Sequence, residues 1–355
     1  MKTSDPVQLT LIIPDLIPPR DSAVADLPNL PGLAALLAAC RDFTPCDDGL
    51  EGLLCARFGI VKQNDWPAAP VLAADAGIDT RDDYWFCAEP VHLQAQGDTL
   101  VFDPAAMRYS ADELAALFAT LNRHFAADDM QFIVAPGPAS AAAFGYLRCP
   151  GVVAASALSA AALQGRSIFQ FMPQGEDGKA VRRWLNEIQM LLHDDPVNAA
   201  REEHGEPPIN SVWLWGGGKL PVLGAAPLDG AWGTHRLLQA LAHAHRVPYA
   251  ATIPDARAII SGAQAQRALV LFDGGISAAG LASLDAQWLT LCARAFEQGR
   301  IEVIDLALGG TFDDGIGWRS ARCTRTGSSL RSTLSRLLQR GPRLTVEIDR
   351  LRASA

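Results

Sequence analysis

Three junctions in the chain place residues fit for chemistry directly after apolar runs of strand length. They are Asp15 after Gln8–Ile13, Gly216-Gly217-Gly218-Lys219 after Ile209–Trp215, and Asp273-Gly274-Gly275 after Ala268–Phe272. In a parallel sheet, ligands gather beyond the carboxyl ends of the strands. Asp15 and Asp273 are the candidate metal ligands, because divalent cations take carboxylate oxygens; capping the following turn is the other use of an aspartate there. Three successive glycines let backbone amides approach an anion, and Lys219 adds positive charge. The run is not a Walker loop, since Trp213 stands where the first glycine belongs and Leu220 follows the lysine. Packing of the glycines against Trp213 or Trp215 is the alternative.

Weaker constellations are set aside on spacing. Gly275-Ile276-Ser277-Ala278-Ala279-Gly280 approaches a nucleophile elbow, but its second glycine stands one residue too far. Ser277 is expected to cap the next helix. His193-Asp194-Asp195 has no second histidine at ligand spacing, and His243 and His245 cannot share one helix face. The last 38 residues, from Trp318, hold nine arginines and two acids, a local charge of +7 against −16 for the rest. Such arginines line solvated faces or pair within the fold.

The 355 residues are 49% hydrophobic and 19% charged, which suits a folded chain of two domains. A net charge of −9 repels phosphate backbones, so nucleic acid is not an expected partner. No apolar run reaches the ~18–20 residues that span a bilayer. The short run Leu9–Ile13 is broken by Pro14 before it could serve as a signal core. A soluble, cytoplasmic protein is expected, with no membrane partner. Seven scattered cysteines form no Cys-x-x-Cys pair and read as free thiols in a reducing compartment.

The elements that must position these residues alternate at both ends of the chain. Strands are expected at Gln8–Ile13, Ile209–Trp215, Ala268–Phe272 and Ile301–Leu308, and helices at Leu30–Cys40, Leu50–Phe58, Thr234–His245 and Ala279–Gln298. Lys179–Leu192 carries an apolar helical stripe, and Ser110 with Glu113 spells a capping box for a helix reaching Phe125. Short strands are expected at Trp85, Val91–Leu93, Thr99–Phe102, Gln131–Ala135 and Arg166–Met172, with Gly97-Asp98 a turn and Pro136–Arg148 a loop. A helix over Ser328–Arg340 and an alternating strand at Leu344, Val346 and Ile348 close the chain. The fold class expected is α/β, a mostly parallel central sheet with helices on both faces. Residues 1–80 and 179–355 would form that core, and 81–178 a smaller inserted α+β domain.

The segment from His193 to Pro221 resembles the archaeal-type cofactor-independent phosphoglycerate mutases of the alkaline phosphatase superfamily. Asn198, Arg201, Gly205, Asn210, Gly216, Gly218 and Pro221 correspond to its motif residues. Leu11–Asp15 is similar to the metal-bearing first strand and turn of those enzymes, and Leu27–Leu30 to their Thr-Pro-Asn segment. Asp65–Pro70, Asp98–Asp103, Trp184–Met190 and Asn210–Gly218 are closer still to the RpfE-type regulatory proteins, a bacterial group. The departures concern chemistry. The window Pro45–Gly52, where the mutases carry their Ser or Thr nucleophile, contains no Ser, Thr or His. Leu308–Phe312 replaces a His- and Asp-bearing metal motif, no His follows His245, and Trp215 stands for the arginine of the glycine loop.

What the resemblance implies is a catalytically silent relative with a binding or regulatory role. Its ligand site would comprise Asn198, Arg201, Asn210, Gly216, Gly217, Gly218 and Lys219, and would suit a phosphorylated or carboxylate metabolite. No cofactor is expected. The alternative is an active metal-dependent phosphoglycerate mutase or phosphohydrolase, using Mn, Zn or Mg with altered ligands. Cys46, Asp47 or Asp48 would then be its nucleophile. A third reading is a module for a protein partner, since Trp66, Trp85, Trp215 and Trp232 fall near loops.

Overall fold

Val7–Ile17 (β1) is buried along nearly all its length, as a strand covered on both faces must be. It leads to helix Pro31–Ala39 (α1), whose residues Gly32 to Ala38 are all buried, and to the short strand Thr44–Cys46 (β2). This computed structural model describes residues 6–18, 28–40, 42–80, 82–97, 99–102, 108–135, 143–163, 166–272, 274–275, 277–312, 315–325 and 344–353. The chain forms two compact units.

The inserted unit, Asp48–Gly224, begins with helices Gly49–Arg57 (α2) and Ala68–Asp75 (α3). Strand Tyr84–Val91 (β3), the hairpin Leu93–Gln96 (β4) and Thr99–Phe102 (β5), and helix Ala111–Phe125 (α4) follow. Then come Gln131–Ala135 (β6), Phe144–Cys149 (β7), the single turn Ala160–Leu163 (α5), helices Gly178–His193 (α6) and Pro196–Glu203 (α7), and Ser211–Gly218 (β8). Its sheet runs β6-β7-β3-β8, antiparallel throughout. The capping box at Ser110 and Glu113 forms in full. α6 buries Val181, Leu185, Ile188 and Leu192 on one stripe.

The first unit resumes at Ala225 with Gly230–Trp232 (β9), Arg236–His245 (α8), Tyr249–Ala250 (β10), Ala256–Ile260 (α9) and Arg267–Leu271 (β11). Ala278–Leu284 (α10) passes through a π-helical turn, Asp285–Leu289, into Thr290–Glu297 (α11). Ile301–Phe312 (β12), Gly315–Thr324 (β13) and Leu344–Ala353 (α12) complete it. The seven-stranded sheet has the order β10-β9-β11-β1-β12-β13-β2, parallel from β10 to β12. Only β13 runs against its neighbours. The expected α/β class with a large, mostly parallel sheet is the observed one.

Several elements differ from expectation. The units divide at Asp47/Asp48 and Gly224/Ala225, whereas the sequence placed the divisions after residues 80 and 178. The reason is β8, which pairs antiparallel with β3 in the inserted unit's sheet, and α6, α7, α2 and α3 go with it. Phe144–Cys149 is a central strand instead of a loop. It reads as loop because Gly145 is needed where a Cβ would lie 2.2 Å from the Ala88 carbonyl oxygen. Ile168–Phe171 is a 3₁₀ turn with one buried residue, not a strand. The closing segment is helical, since Leu344, Ile348 and Leu351 also repeat at helical spacing, and Ile348 and Leu351 are buried. Asp98 and the expected helix Ser328–Arg340 lie outside the described residues.

The cysteines correct a further expectation. Cys40, the C-terminal cap of α1, is paired with Cys323 of β13 at a Cα–Cα distance of 5.2 Å. The other five form no disulfide. No spacing rule could have joined residues 283 apart.

Candidate functional site

The candidate ligand residues separate into two places. β8 runs from Ser211 to Gly218, so Asn210 and Gly218 lie at opposite ends of an extended strand, roughly 26 Å apart at ~3.3 Å per residue. The single site expected from the sequence is thus not assembled. Near the start of β8, Asn198 is 2% exposed and its amide donates to the Leu192 and Ile209 carbonyls while accepting from the Ile209 amide. Asn210 brackets Leu93 in the same two-way manner. Arg201, also buried, donates to Glu113 at 2.7 Å and to the carbonyls of Pro207 and Arg108. Partial burial works against the Glu113 charge, but hydrogen bonds from Ser110 and Arg201 hold its carboxyl below the ordinary value. All three motif side chains are therefore occupied in fixing backbone.

At the other end, the glycines are packing glycines. A Cβ on Gly217 would lie 2.5 Å from the Phe86 ring, and one on Gly218 would lie 2.5 Å from Pro67. Gly216, at φ +68, faces Ala68 and Ala69. The packing partner is the 63–69 segment and β3, not Trp213 or Trp215. β8 is an edge strand of an antiparallel sheet, so the ligand rule for carboxyl ends of parallel strands does not reach it. Two loop amides are already engaged: Gly217 donates to Asp65 (3.4 Å) and Lys219 to the Gln63 side chain (2.9 Å). Gln63 also donates back to the Lys219 carbonyl.

Asp65 is the residue that sequence reasoning missed as a participant here. Only 7% exposed, it accepts from the amides of Trp66, Ala157 and Gly217, which belong to three separate segments. Burial pushes its carboxyl up to about 6, against the opposing pull of those amides and of Lys62. Burial, with Asp65 nearby, likewise raises the Tyr84 hydroxyl. The only signal in the sequence was an aspartate before Trp-Pro. A negative charge under the glycines disfavours an anion cradled by the loop's own amides. Lys219 itself is exposed at the strand end.

In the first unit, Asp15 does stand at the carboxyl end of β1. It is exposed, with left-handed backbone at φ 49, in a bulge between Ile13 and Ile17. Gly309 and Gly310 make room for this bulge; a Cβ on Gly310 would meet the Ile17 carbonyl oxygen at 2.3 Å. The Gly274 backbone approaches the carboxylate so closely that a Cβ there would lie 2.6 Å from Asp15 Oδ2. Asp273 lies outside the described residues. Asp305, a third conceivable oxygen ligand, is held by both prongs of Arg322 at 2.8 Å. Among the described residues, no three His, Cys, Asp or Glu side chains converge as metal ligands do. Of the candidate oxygen ligands described, Asp15 and Asp305 do not by themselves form the two-metal centre that the mutase resemblance implies.

Several of the remaining candidates have structural partners. Ser277 caps α10, accepting from Gly280. Asp195 caps α7 and accepts from Thr120, and His193 is exposed beside Asp194. Asp48 is bound to Lys62, and Cys46 lies in β2 opposite Trp318. Trp85 and Trp232 are buried, while Trp213 donates to the Leu158 carbonyl and Trp215 to Glu89. Among the described residues, no helix is long and apolar enough to cross a membrane.

The fold defines an α/β protein with a large parallel sheet and an inserted antiparallel unit. Sequence comparison places it relative to known proteins. No family model matches the chain. It is similar to a probable 2,3-bisphosphoglycerate-independent phosphoglycerate mutase of Geobacter sulfurreducens, 29% identical over 155 residues, covering 43% of this chain and 38% of that protein. The 2,3-bisphosphoglycerate-independent phosphoglycerate mutase of Methanosarcina mazei is 28% identical over 161 residues, 43% of this chain and 37% of that one. The matches thus span under two-fifths of those mutases' lengths. Of solved structures, a cofactor-independent phosphoglycerate mutase from Thermoplasma acidophilum aligns over 95% of this chain and 100% of its own, at TM-score 0.41 and 15% identity. A Pyrococcus horikoshii protein aligns over 90% and 88%, at TM-score 0.45 and 14% identity. In sequence, the chain is a distant homologue of the cofactor-independent phosphoglycerate mutases.

Proposed function

We propose that this chain is a phosphoglycerate mutase-like protein of the RpfE-type regulatory group, binding a phosphorylated or carboxylate metabolite without transferring phosphate. The observation that carries this reading is the engagement of Asn198, Arg201, Asn210, Asp48 and Asp305 in folding contacts. Asp48, in the window where a nucleophile belongs, is tied to Lys62, and Asp305 to Arg322. A phosphotransferase of this kind needs an activated nucleophile and metals on both reacting oxygens. The ligand-binding group left open is Lys219, which would attract an anion by charge, while Asn198, Arg201 and Asn210 act through the backbone they hold.

Mutase assays with 2- and 3-phosphoglycerate, in Mn²⁺, Zn²⁺ and Mg²⁺, are expected to show no turnover. Calorimetric titration with 3-phosphoglycerate is expected to show binding that weakens in Lys219→Ala. No heat at millimolar ligand would sink the binding role. One observation favours the second reading, an active metal-dependent mutase or phosphohydrolase: the exposed Asp15 carboxylate held on left-handed backbone at the end of the central strand. Turnover that disappears in Asp15→Ala would establish that reading instead.

A further inference from the structure

We infer that Cys40 and Cys323 form a redox-responsive clasp on α1, closed by oxidation and opened by a dithiol reductant. α1 has little hold of its own at its ends. Its N-cap, Leu30, offers no side-chain acceptor, and Asp285 substitutes from the π-helical turn, accepting from the amides of Gly32 and Leu33. At the other end Arg350 of α12 donates to the carbonyls of Leu37 and Cys40. Cys40 is the cap residue itself, and Cys323 ties it to β13. The bond closes a loop of 283 residues. Of the contacts holding the end of α1, this one responds to redox conditions.

Four of the five remaining cysteines compete poorly for the exchange. Burial pushes the thiols of Cys55, Cys149 and Cys292 up to about 12, leaving almost no thiolate at neutral pH. Cys46 pairs with Trp318, five residues before Cys323 along β13, so it lies roughly 17 Å away at ~3.3 Å per residue, beyond disulfide reach. In opening, the dithiol gives two electrons and two protons to the Cys40–Cys323 bond; two protein thiols form and the reductant closes to its own disulfide. Both cysteines are buried, at 2% and 5% exposure. Exchange therefore passes through local opening at the end of α1, which makes the switch slow.

The test uses the whole chain, oxidised in air, unfolded and labelled with N-ethylmaleimide. Of the seven cysteines, five should label before treatment with dithiothreitol and all seven after it. Native-state hydrogen exchange at Leu36–Cys40 should be about tenfold faster in the reduced chain than in the oxidised one. Cys323→Ser should show the fast exchange with or without dithiothreitol, and Cys46→Ser should keep the wild-type response. Seven labelled thiols in the air-oxidised chain would overturn the inference, as would exchange at α1 that ignores dithiothreitol in the wild type.

Discussion

Replacing Asp65 by asparagine tests the electrostatics beneath the glycine end of β8. The wild-type carboxyl titrates at about 6 in the folded chain against an ordinary 3.8, and burial is the largest cause. Since the folded value is raised, the contribution to stability is complete below the unfolded value. It is lost as pH rises through about 6. Linkage gives a loss of about 1.4 kcal/mol for the wild type between pH 5 and pH 7.5, a tenfold change in the folding equilibrium. Asp65→Asn removes this dependence. It also turns an amide NH₂ toward the donor amides that one oxygen now receives, so the variant should be less stable at pH 5 by about 1–3 kcal/mol. The assay is urea unfolding at both pH values, followed by tryptophan fluorescence, which Trp66 beside this residue reports. The quantity compared is the pH slope of wild type minus variant. Equal slopes, or wild-type stability that rises with pH relative to the variant, would refute the assignment of a buried, raised carboxyl here.

Two further substitutions probe contacts that only the tertiary structure creates. Asp285→Ala strips α1 of both donated caps and the bond from Thr290, and should lower unfolding free energy by about 2–3 kcal/mol in chemical denaturation; a loss below about 0.5 kcal/mol would mean the cap is idle. Gly217→Ala places a Cβ 2.5 Å from the Phe86 ring and 3.0 Å from the Tyr84 hydroxyl oxygen. It should cost about 1–3 kcal/mol by overpacking, and undiminished thermal stability would show that this glycine is open to a ligand instead of packed.

The sequence alone determined those elements whose signal is local. The capping box of α4, the apolar stripe of α6, and the continuous apolar runs of β1, β11 and β12 lie within a dozen residues each, the scale over which helical and strand periods are readable. The parallel sheet follows from those runs alternating with helices. Even there, Leu344, Val346, Ile348 and Leu351 satisfied two periods at once, and burial of Ile348 and Leu351 beside α1 decided for the helix. Only the tertiary structure decided which sheet β8 joins, because its apolar run suits a central parallel strand and an antiparallel edge equally well. The candidate site was legible as residues but not as a place: Asn198, Arg201 and Asn210 stand at one end of β8 and Gly216 to Lys219 at the other. The contacts that fix their roles join distant positions, Asp65 with Gly217, Asp285 with Gly32 across 253 residues, and Cys40 with Cys323 across 283. Spacing along a chain carries no information about such pairs, since each exists only once the folded backbone has brought its partners within bonding distance.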